Sequence, residues 1–337
     1  NRVLESTGRF LVGNIFRWLL VVIGVCGLAM TIIVFLYVNS LTKDLPSVKS
    51  LSEYQPAVTT RVHAGDGKLI AEFASEHRIY VPYDGMPDHL IAAFVSAEDK
   101  SFFKHEGIDY FGMIRANIRN LKGLLSGSDA NLQGGSTITQ QVAKNMLLRD
   151  SSQKVKRKIR EAILSKRMEQ VFSKDKIIEL YLNEIYLGGS SYGVASAALN
   201  YFNKALPDLT IEEAAVLAAM AQRPGDVNPF LKPERSRQRR DWVIDRMEKN
   251  GYITKAEEKA AKEMPLQTRE RLKGEEYAAA TYFVEELRRD LAARVGEEVL
   301  KADGLSIRST LDTRLQLAAQ VALRNGLEVY DRRHGFR

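Results

Sequence analysis

The first strong pattern along the chain is an uninterrupted apolar run near its start. Residues 18–38, WLLVVIGVCGLAMTIIVFLYV, contain no charged residue over 21 positions. At a rise of about 1.5 Å per residue, a helix of this length reaches roughly 30 Å, the hydrocarbon thickness of a bilayer. The alternative is a cleaved signal peptide, but its apolar region is typically only ~7–15 residues long. We therefore predict a retained transmembrane helix over residues 18–38.

The charges that precede this run predict its orientation. Arg2, Arg9 and Arg17 lie before it, and such positive flanks stay on the cytoplasmic side of a membrane. Residues 1–17 are then a cytoplasmic tail, and everything after the helix lies outside. The single cysteine, Cys26, falls inside the apolar run, so the external part carries no thiol, which suits an oxidising compartment.

Residues 39–83 show a different pattern, a tether without periodicity followed by short alternating runs. An Asp-Gly step at 66–67 separates the runs 58–64 and 68–74, and a third β-like run covers 78–83. Asp-Gly between alternating apolar runs is a strong hairpin signal. The segment therefore predicts a tether that leads into a β-hairpin.

From residue 84 to residue 264 the spacing of apolar residues becomes helical. The segment 177–185 places its apolar residues on one helical face, and Thr210 with Glu213 three positions later forms a capping-box signature. A polar stretch then ends the pattern, and residues 265–337 predict a further helix, strand and helix. The chain is therefore expected to be mainly α.

Composition narrows the classes of function. Lys and Arg number 49 against 42 Asp and Glu, which gives a net charge of +7 and a pI of about 9.3. This balance indicates an anionic partner, whether nucleic acid, phospholipid or a phosphorylated substrate. One cysteine excludes a disulfide framework and a Cys-based zinc cluster. The five histidines form no His-Glu-x-x-His pair, which excludes a zinc protease of that type.

Much of the positive charge is concentrated in residues 153–174. This stretch contains eight Lys or Arg against Glu161 and Glu169. It is either a solvated helix face or a surface that meets an anionic ligand, and charge alone does not choose between them. Proteins that bind single-stranded nucleic acid interleave aromatic residues with their cations, whereas Phe172 is the only aromatic residue here. We predict no nucleic-acid partner.

The segment 111–125, FGMIRANIRNLKGLL, is basic and amphipathic. Its apolar face consists of Phe111, Ile114, Ile118, Leu121 and Leu125, flanked by Arg115, Arg119 and Lys122. Such a helix either lies on a membrane surface or packs against the protein core. The pattern alone leaves both interpretations open.

Four short segments carry residues suited to chemistry. They are 97–109 (AEDKSFFKHEGID), 134–145 (GGSTITQQVAKN), 157–161 (RKIRE) and 177–188 (IIELYLNEIYLG). In the first, adjacent carboxylates beside aromatic rings can raise one pKa, as a general base requires. In the second, a glycine pair before a helix start at Ser136 or Thr137 allows close approach of an anion.

Together with a fifth segment, 214–224 (AAVLAAMAQRP), these segments resemble the five ordered motifs of the peptidoglycan glycosyltransferases, glycosyltransferase family 51. The likeness is greatest to the bifunctional class A penicillin-binding proteins of Gram-negative type, and it covers roughly residues 60–337. Ser165 stands where the family usually has alanine, and Arg223 replaces a common lysine. Neither departure touches a catalytic position implied by the resemblance.

The resemblance implies a fold and a domain order. The expected fold is a mainly α, lysozyme-like glycosyltransferase domain over residues 84–264, with the hairpin of 39–83 as a small β pedestal and one N-terminal transmembrane helix. Residues 265–337 are then the linker and the start of a transpeptidase region that the chain does not contain.

The resemblance also implies an activity, the polymerisation of lipid II into glycan strands with inversion at the donor anomeric carbon. Glu98 maps to the general base and Glu161 to the second catalytic carboxylate. The substrate-binding positions are Asp99, Phe102, His105, Ser136, Thr137, Gln140, Gln141, Lys144, Asn145, Arg157 and Tyr186. No cofactor is expected to be required, although a divalent cation, Mg²⁺ or Mn²⁺, could assist the pyrophosphate through Glu161.

The implied partners are lipid II, the nascent glycan strand, the bacterial inner membrane and further proteins of cell-wall synthesis. The catalytic domain is expected on the periplasmic side. Two alternatives stay open at this point: a membrane-bound glycan hydrolase or lytic transglycosylase, which a shared fold would permit, and a non-catalytic scaffold that binds lipid-linked precursors.

Overall fold

The computed structural model describes residues 2–52, 59–73, 77–125, 135–148, 154–268, 277, 279–302 and 304–335. Within these residues the chain is mostly helical with a small sheet, as predicted. The α-helices are α1 (Arg2–Thr42), α2 (Asp88–Glu98), α3 (Tyr110–Leu125), α4 (Ile138–Val142), α5 (Lys154–Val171), α6 (Lys174–Glu184), α7 (Val194–Phe202), α8 (Ile211–Met220), α9 (Pro233–Lys249), α10 (Lys255–Glu263), α11 (Thr281–Val295), α12 (Glu297–Ala302) and α13 (Thr313–His334).

The first helix contains the predicted apolar run. Its segment Val21–Thr42 is long and apolar enough to cross a bilayer, and none of its most apolar window is buried in the protein. Leu41, near its end, is already buried. The 3₁₀ turn Val48–Leu51 follows, and both α1 and this turn contact α5. The candidate membrane span therefore ends directly against the folded part of the chain.

The predicted hairpin is confirmed. Strands β1 (Thr60–His63) and β2 (Leu69–Phe73) pair antiparallel around a turn in which Gly67 has a φ of +87°. The third predicted run does not extend this hairpin. Only β3 (His77–Arg78) forms there, and it pairs in parallel with β4 (Ser191–Tyr192). A third strand of the first sheet, β5 (Ser306–Arg308), comes from the C-terminal segment and pairs in parallel with β1.

The core lies among α2, α4, α6, α7, α8 and α9. Residues 90–96 of α2 and 214–220 of α8 are buried along their whole length. Helices α8 and α9 both pack on α2, while α4 packs on α5 and α6. The predicted capping box is present, since Thr210 caps α8 and Glu213 closes the box. This packing holds α2, which ends at Glu98, against α8 and α9.

Helix α3 exposes the face that the sequence left unassigned. Phe111 is 81% exposed, and Ile114 and Ile118 are more than half exposed. The side chains of Leu121, Lys122 and Leu125 lie outside the described residues. A core-facing helix would bury these positions, so that interpretation is wrong for the described part of the face.

A buried arginine joins α9 to the end of α10. Arg240 is 1% exposed. Its Nη1 donates to the carbonyl of Met264 at 2.7 Å, its Nη2 to that of Lys262 at 3.2 Å, and its Nε to Asp241 at 2.8 Å. These contacts satisfy carbonyls that the helix end leaves without intrahelical donors. The guanidinium thus fixes where the chain leaves the helical core.

We predict that Arg240→Met destabilises the helical core by about 2–4 kcal/mol, because it leaves two partly buried carbonyls and Asp241 without their donor. Denaturant unfolding in detergent, followed by circular dichroism, measures the change. Arg237→Met is the matched control. Arg237 is on the same helix, exposed and loosely paired with Glu234 at 3.8 Å, so its loss should stay within about 0.5 kcal/mol. Equal effects of the two substitutions would contradict the structural role of Arg240.

Candidate active site

Glu98 ends helix α2 at the edge of a cleft. Its Oε2 accepts a hydrogen bond from Gln141 Nε2 at 2.9 Å, and its Oε1 is buried without a hydrogen bond from the described residues. Burial raises the pKa of Glu98, and Gln141, Arg239 and Gln222 offset this only in part. A carboxylate with a raised pKa and an unengaged oxygen has the chemistry of a general base.

The neighbouring Asp99 is a structural acceptor. Its Oδ2 accepts the backbone N–H of Ile138 at 3.0 Å and lies 2.9 Å from His105 Nε2. The Gly107 N–H donates to His105 Nδ1 at 3.1 Å, so the ring proton is on Nε2 and is donated to Asp99. The two adjacent carboxylates of the first motif therefore differ: Asp99 is engaged by protein, whereas Glu98 faces the cleft.

The second motif begins with a helix close to the predicted start, but N–H groups that were expected to meet an anion are engaged by the protein. Thr137 is the N-cap of α4: its Oγ1 accepts from Gln140 N at 3.1 Å, and Gln140 Oε1 accepts from Thr137 N at 3.0 Å. Thr137 Oγ1 also donates to the Gly107 carbonyl at 2.7 Å. The side chains of Thr137 and Gln140 are thus committed to the helix start, while Gln141 points to Glu98. Gly134 lies outside the described residues.

Gly107 is required by both its backbone angle and its surroundings. Its φ is +86°, a region that side-chain-bearing residues rarely adopt. A Cβ at this position would lie 2.8 Å from the carbonyl oxygen of Ser165 in α5. The loop after Asp99 can therefore touch α5 only because residue 107 has no side chain.

Phe102 belongs to the loop that follows Asp99, and its side chain packs into the protein interior. It is fully buried, its ring meets that of His105 edge-on, and Lys174 Nζ lies 4.5 Å from its centroid. Lys174 Nζ also binds Glu169 at 2.7 Å, and Glu169 accepts from Thr139 Oγ1 at 2.7 Å. Phe102 therefore shapes the site through packing.

Glu161 lies 1% exposed between two cations of α5. Arg157 Nε lies 3.3 Å from Oε1, and Lys158 Nζ lies 2.5 Å from Oε2. Lys158 Nζ also donates to Ser136 Oγ at 2.8 Å. Lys158 therefore connects the third motif to the second, a role that the sequence analysis did not assign to it.

A cleft of about 150 Å³ unites parts of the first and second motifs. Its lining consists of Ser96, Ala97, Glu98, Asp99, Lys100, Asp109, Gly112, Arg115, Ala116, Arg119, Gly135, Ser136, Thr137, Trp242, Arg246 and Asn250. The predicted positions that do not line it number nine: Phe102, His105, Gln140, Gln141, Lys144, Asn145, Arg157, Glu161 and Tyr186. Lys144 and Asn145 are exposed on the π-helical turn Ala143–Leu147, and Tyr186 packs against Tyr192 with ring centroids 4.8 Å apart.

Helix α9 supplies residues that the sequence analysis missed. Trp242 and Arg246 line the cleft. The guanidinium of Arg239 stacks on the Trp242 ring, 3.8 Å from its centroid. The available signal was an aromatic residue flanked by arginines at helical spacings of three and four. That spacing marks one helix face, but it does not say which face meets the site.

The donor set argues against a resident metal at Glu161. Both carboxylate oxygens face Arg157 or Lys158, and a divalent cation there would have to displace one of these charges. Among the described residues, no group of three or more His, Cys, Asp or Glu is arranged to hold a metal ion. Assistance of the departing pyrophosphate by Mg²⁺ or Mn²⁺ stays a prediction.

The chain has close relatives among curated proteins. It is 44% identical over 297 residues to penicillin-binding protein 1A of Rickettsia conorii, covering 88% of this chain and 37% of that protein. It is 41% identical over 304 residues to penicillin-binding protein 1A of Vibrio cholerae, covering 90% of this chain and 36% of that protein. The chain thus spans little more than a third of the length of these relatives.

A solved structure of the same kind of protein is also similar to this chain. The crystal structure of penicillin-binding protein 1A from Haemophilus influenzae matches with a TM-score of 0.53 and 29% identity, over 84% of this chain and 31% of that one. Residues 66–248 match the family described as Transglycosylase. This range contains Glu98, Glu161 and all five motifs, as the resemblance implied. The chain therefore belongs to the transglycosylase family.

Proposed function

We propose that this chain is a peptidoglycan glycosyltransferase that polymerises lipid II into glycan strands. The observation that carries the proposal is the buried Oε1 of Glu98, which has no hydrogen bond from the described residues by distance and angle. It lies in a cleft that is also lined by Ser136, the hydrogen-bond partner of Lys158 in α5. Glu98 can remove a proton from an acceptor hydroxyl, and the cations of α5 can receive a departing pyrophosphate.

In the proposed reaction, Glu98 accepts the proton of the lipid II 4-hydroxyl. The freed oxygen forms a bond to the anomeric carbon of the donor strand, and the bond from that carbon to the pyrophosphate oxygen breaks with inversion. The electron pair leaves with the pyrophosphate. Gln141 holds the other oxygen of Glu98 through its amide, which aims the free oxygen into the cleft.

The leaving group explains the basic side of the site. A pyrophosphate carries its charge away and needs cations more than it needs a proton, in contrast to the sugar alcohol that a glycosidase must protonate. Arg157 and Lys158 supply fixed positive charge, held in place by Glu161. We assign Glu161 the part of orienting these cations.

The exposed features of the chain suit a lipid-linked substrate. The apolar segment of α1 is a candidate membrane span, and α3 exposes Phe111, Ile114 and Ile118 beside Arg115. A basic amphipathic helix of this kind associates with anionic membrane surfaces. We propose a single-pass inner-membrane protein with the catalytic domain on the periplasmic side; partner proteins and the transpeptidase expected after residue 337 stay predictions.

A single experiment separates the proposal from its rivals. The detergent-solubilised chain is incubated with labelled lipid II, and product length is analysed. Polymerisation supports the proposal. Shortening of preformed glycan without a lipid-linked donor would indicate a hydrolase or lytic transglycosylase, and saturable binding without turnover would indicate a scaffold.

We predict that Glu98→Gln lowers turnover by about 10²–10⁴-fold, the usual contribution of a general base. Glutamine keeps the shape and can still meet Gln141, so lipid II affinity should change little. Initial rates and equilibrium binding of labelled lipid II measure the two effects. Near-normal polymerisation by this variant would exclude Glu98 as the base.

The raised pKa of Glu98 predicts a specific pH dependence. The base must be ionised, and burial moves its pKa above the ordinary value of 4.5. Turnover should therefore fall as the pH decreases through a midpoint above 4.5, and the lost activity should return on raising the pH. Initial rates from about pH 4 to pH 9 give the profile. The residual activity of Glu98→Gln should lack this acid limb, and an identical limb in that variant would assign the limb to another group.

The bridge between Ser136 and Glu161 predicts a role for Lys158. Lys158→Met should reduce turnover by about 10²-fold, as removal of one transition-state donor does elsewhere, with a smaller effect on lipid II binding. Lys156→Met on the same helix is the control, since Lys156 neither bridges the motifs nor contacts Glu161 in the described structure. Equal losses from both variants would indicate a general charge effect.

A further inference from the structure

The wall of the cleft that α9 forms has no part in the proposed reaction. The indole of Trp242 carries two guanidinium groups: Arg239 lies 3.8 Å from its centroid and Arg246 lies 5.0 Å from it. The three residues are spaced along one face of α9. Two cations on one ring repel each other, so this arrangement needs a compensating negative charge nearby.

Arg239 is the more constrained of the two cations. It is half-buried, stacks on Trp242, and donates from Nη2 to Gln222 Oε1 at 3.2 Å. Gln222 belongs to the fifth motif, directly after α8, and both α8 and α9 pack on the helix that ends at Glu98. The ring and the amide thus hold the guanidinium beside Trp242, which lines the same cleft as Glu98.

We propose that Arg239 is a positioning residue that keeps Glu98 ionised and in place as the general base. This inference rests on the proposed function and deepens it. Arg239 acts through Glu98 and has no contact with the substrate in this role. Trp242 and Gln222 fix the position of the Arg239 guanidinium. The fifth motif and α9 therefore both help to position the base.

The other charged groups around Glu98 do not replace this cation. Asp99, the next residue, has the opposite effect and raises the pKa of Glu98. Tyr181 of α6 faces both carboxylates, and burial raises its pKa well above the ordinary value, which keeps its hydroxyl neutral. The other charged side chains that line the cleft are Lys100, Asp109, Arg115, Arg119 and Arg246.

Arg239 acts on Glu98 as an opposite charge, and its place on α9 beside the cleft residue Trp242 brings it to this side of the site. Among the charged groups that lower the pKa of Glu98, it is the first. In return, Glu98 partly offsets the lowering of the Arg239 pKa that burial causes. An opposite charge favours the ionised carboxylate, so removal of Arg239 should make Glu98 harder to ionise.

The first test is the pH profile of polymerisation by detergent-solubilised variants. Arg239→Gln should move the acid limb upward by about one pH unit, a tenfold loss on the acidic side that recovers at alkaline pH. Arg239→Lys should restore most of the wild-type limb. Arg237→Gln, which removes an exposed charge from the same helix, should leave the profile unchanged. A uniform loss at all pH values in Arg239→Gln would overturn the proposal and indicate a merely structural role.

A second readout is independent of turnover. The carboxyl carbon of Glu98 is titrated by NMR in chain labelled with ¹³C at the glutamate side-chain carboxyl, and Glu98→Gln identifies its signal. The midpoint should rise in Arg239→Gln without any substrate, and an unchanged midpoint would overturn the proposal. If the wild-type chain fails to polymerise lipid II, the proposed function fails, but this titration still decides the role of Arg239. Should Arg239→Gln not fold, Trp242→Leu removes the platform and should raise the midpoint in the same direction by less.

Discussion

The site depends on the buried carboxylate of Asp99, the residue that follows the proposed base Glu98. Asp99 accepts the backbone N–H of Ile138 and the ring N–H of His105 at a single oxygen. These two bonds tie the end of α2, the loop that follows it and the start of α4 to one point. A buried charge is tolerated only when it is fully hydrogen-bonded. Because these bonds fix Asp99, they also fix the end of α2 that carries the neighbouring Glu98.

Charge around the site is arranged in two separate groups. On one side Glu161 is enclosed by Arg157 and Lys158, so its carboxylate orders cations. On the other side, burial raises the pKa of Glu98, and the charge of Arg239 in α9 opposes that rise. The same pair of residue types therefore serves opposite purposes. In the proposed reaction, the close pairs of Glu161 fix positive charge for the leaving group. Arg239 forms no ion pair with Glu98 among the described residues, which leaves that carboxylate free to take a proton.

The sequence predicted the parts of this arrangement that depend on local patterns. The turn at 66–67, the N-cap at Thr137 and the capping box at Thr210 are set by neighbouring residues, and each is found. The pairing of β1 with β5 and the approach of Arg239 to the site depend on contacts between distant segments. Periodicity cannot show such contacts, because it reports which face is apolar and not what that face meets. The motifs predicted Lys144, Asn145 and Tyr186 as site residues, but none of the three lines the cleft. Residues of α9 line part of it instead.

Gly107 sets the spacing between the two halves of the site. Its carbonyl receives Thr137, its N–H meets His105, and the missing Cβ lets the loop rest on the backbone of α5 at Ser165. A methyl group there would act as a wedge between the helix that carries Glu161 and the loop that anchors Asp99. The spacing between the proposed base and the cations of α5 therefore depends on a position that bears no functional group. Substitution should therefore be tolerated least at Gly107, although this residue touches no substrate.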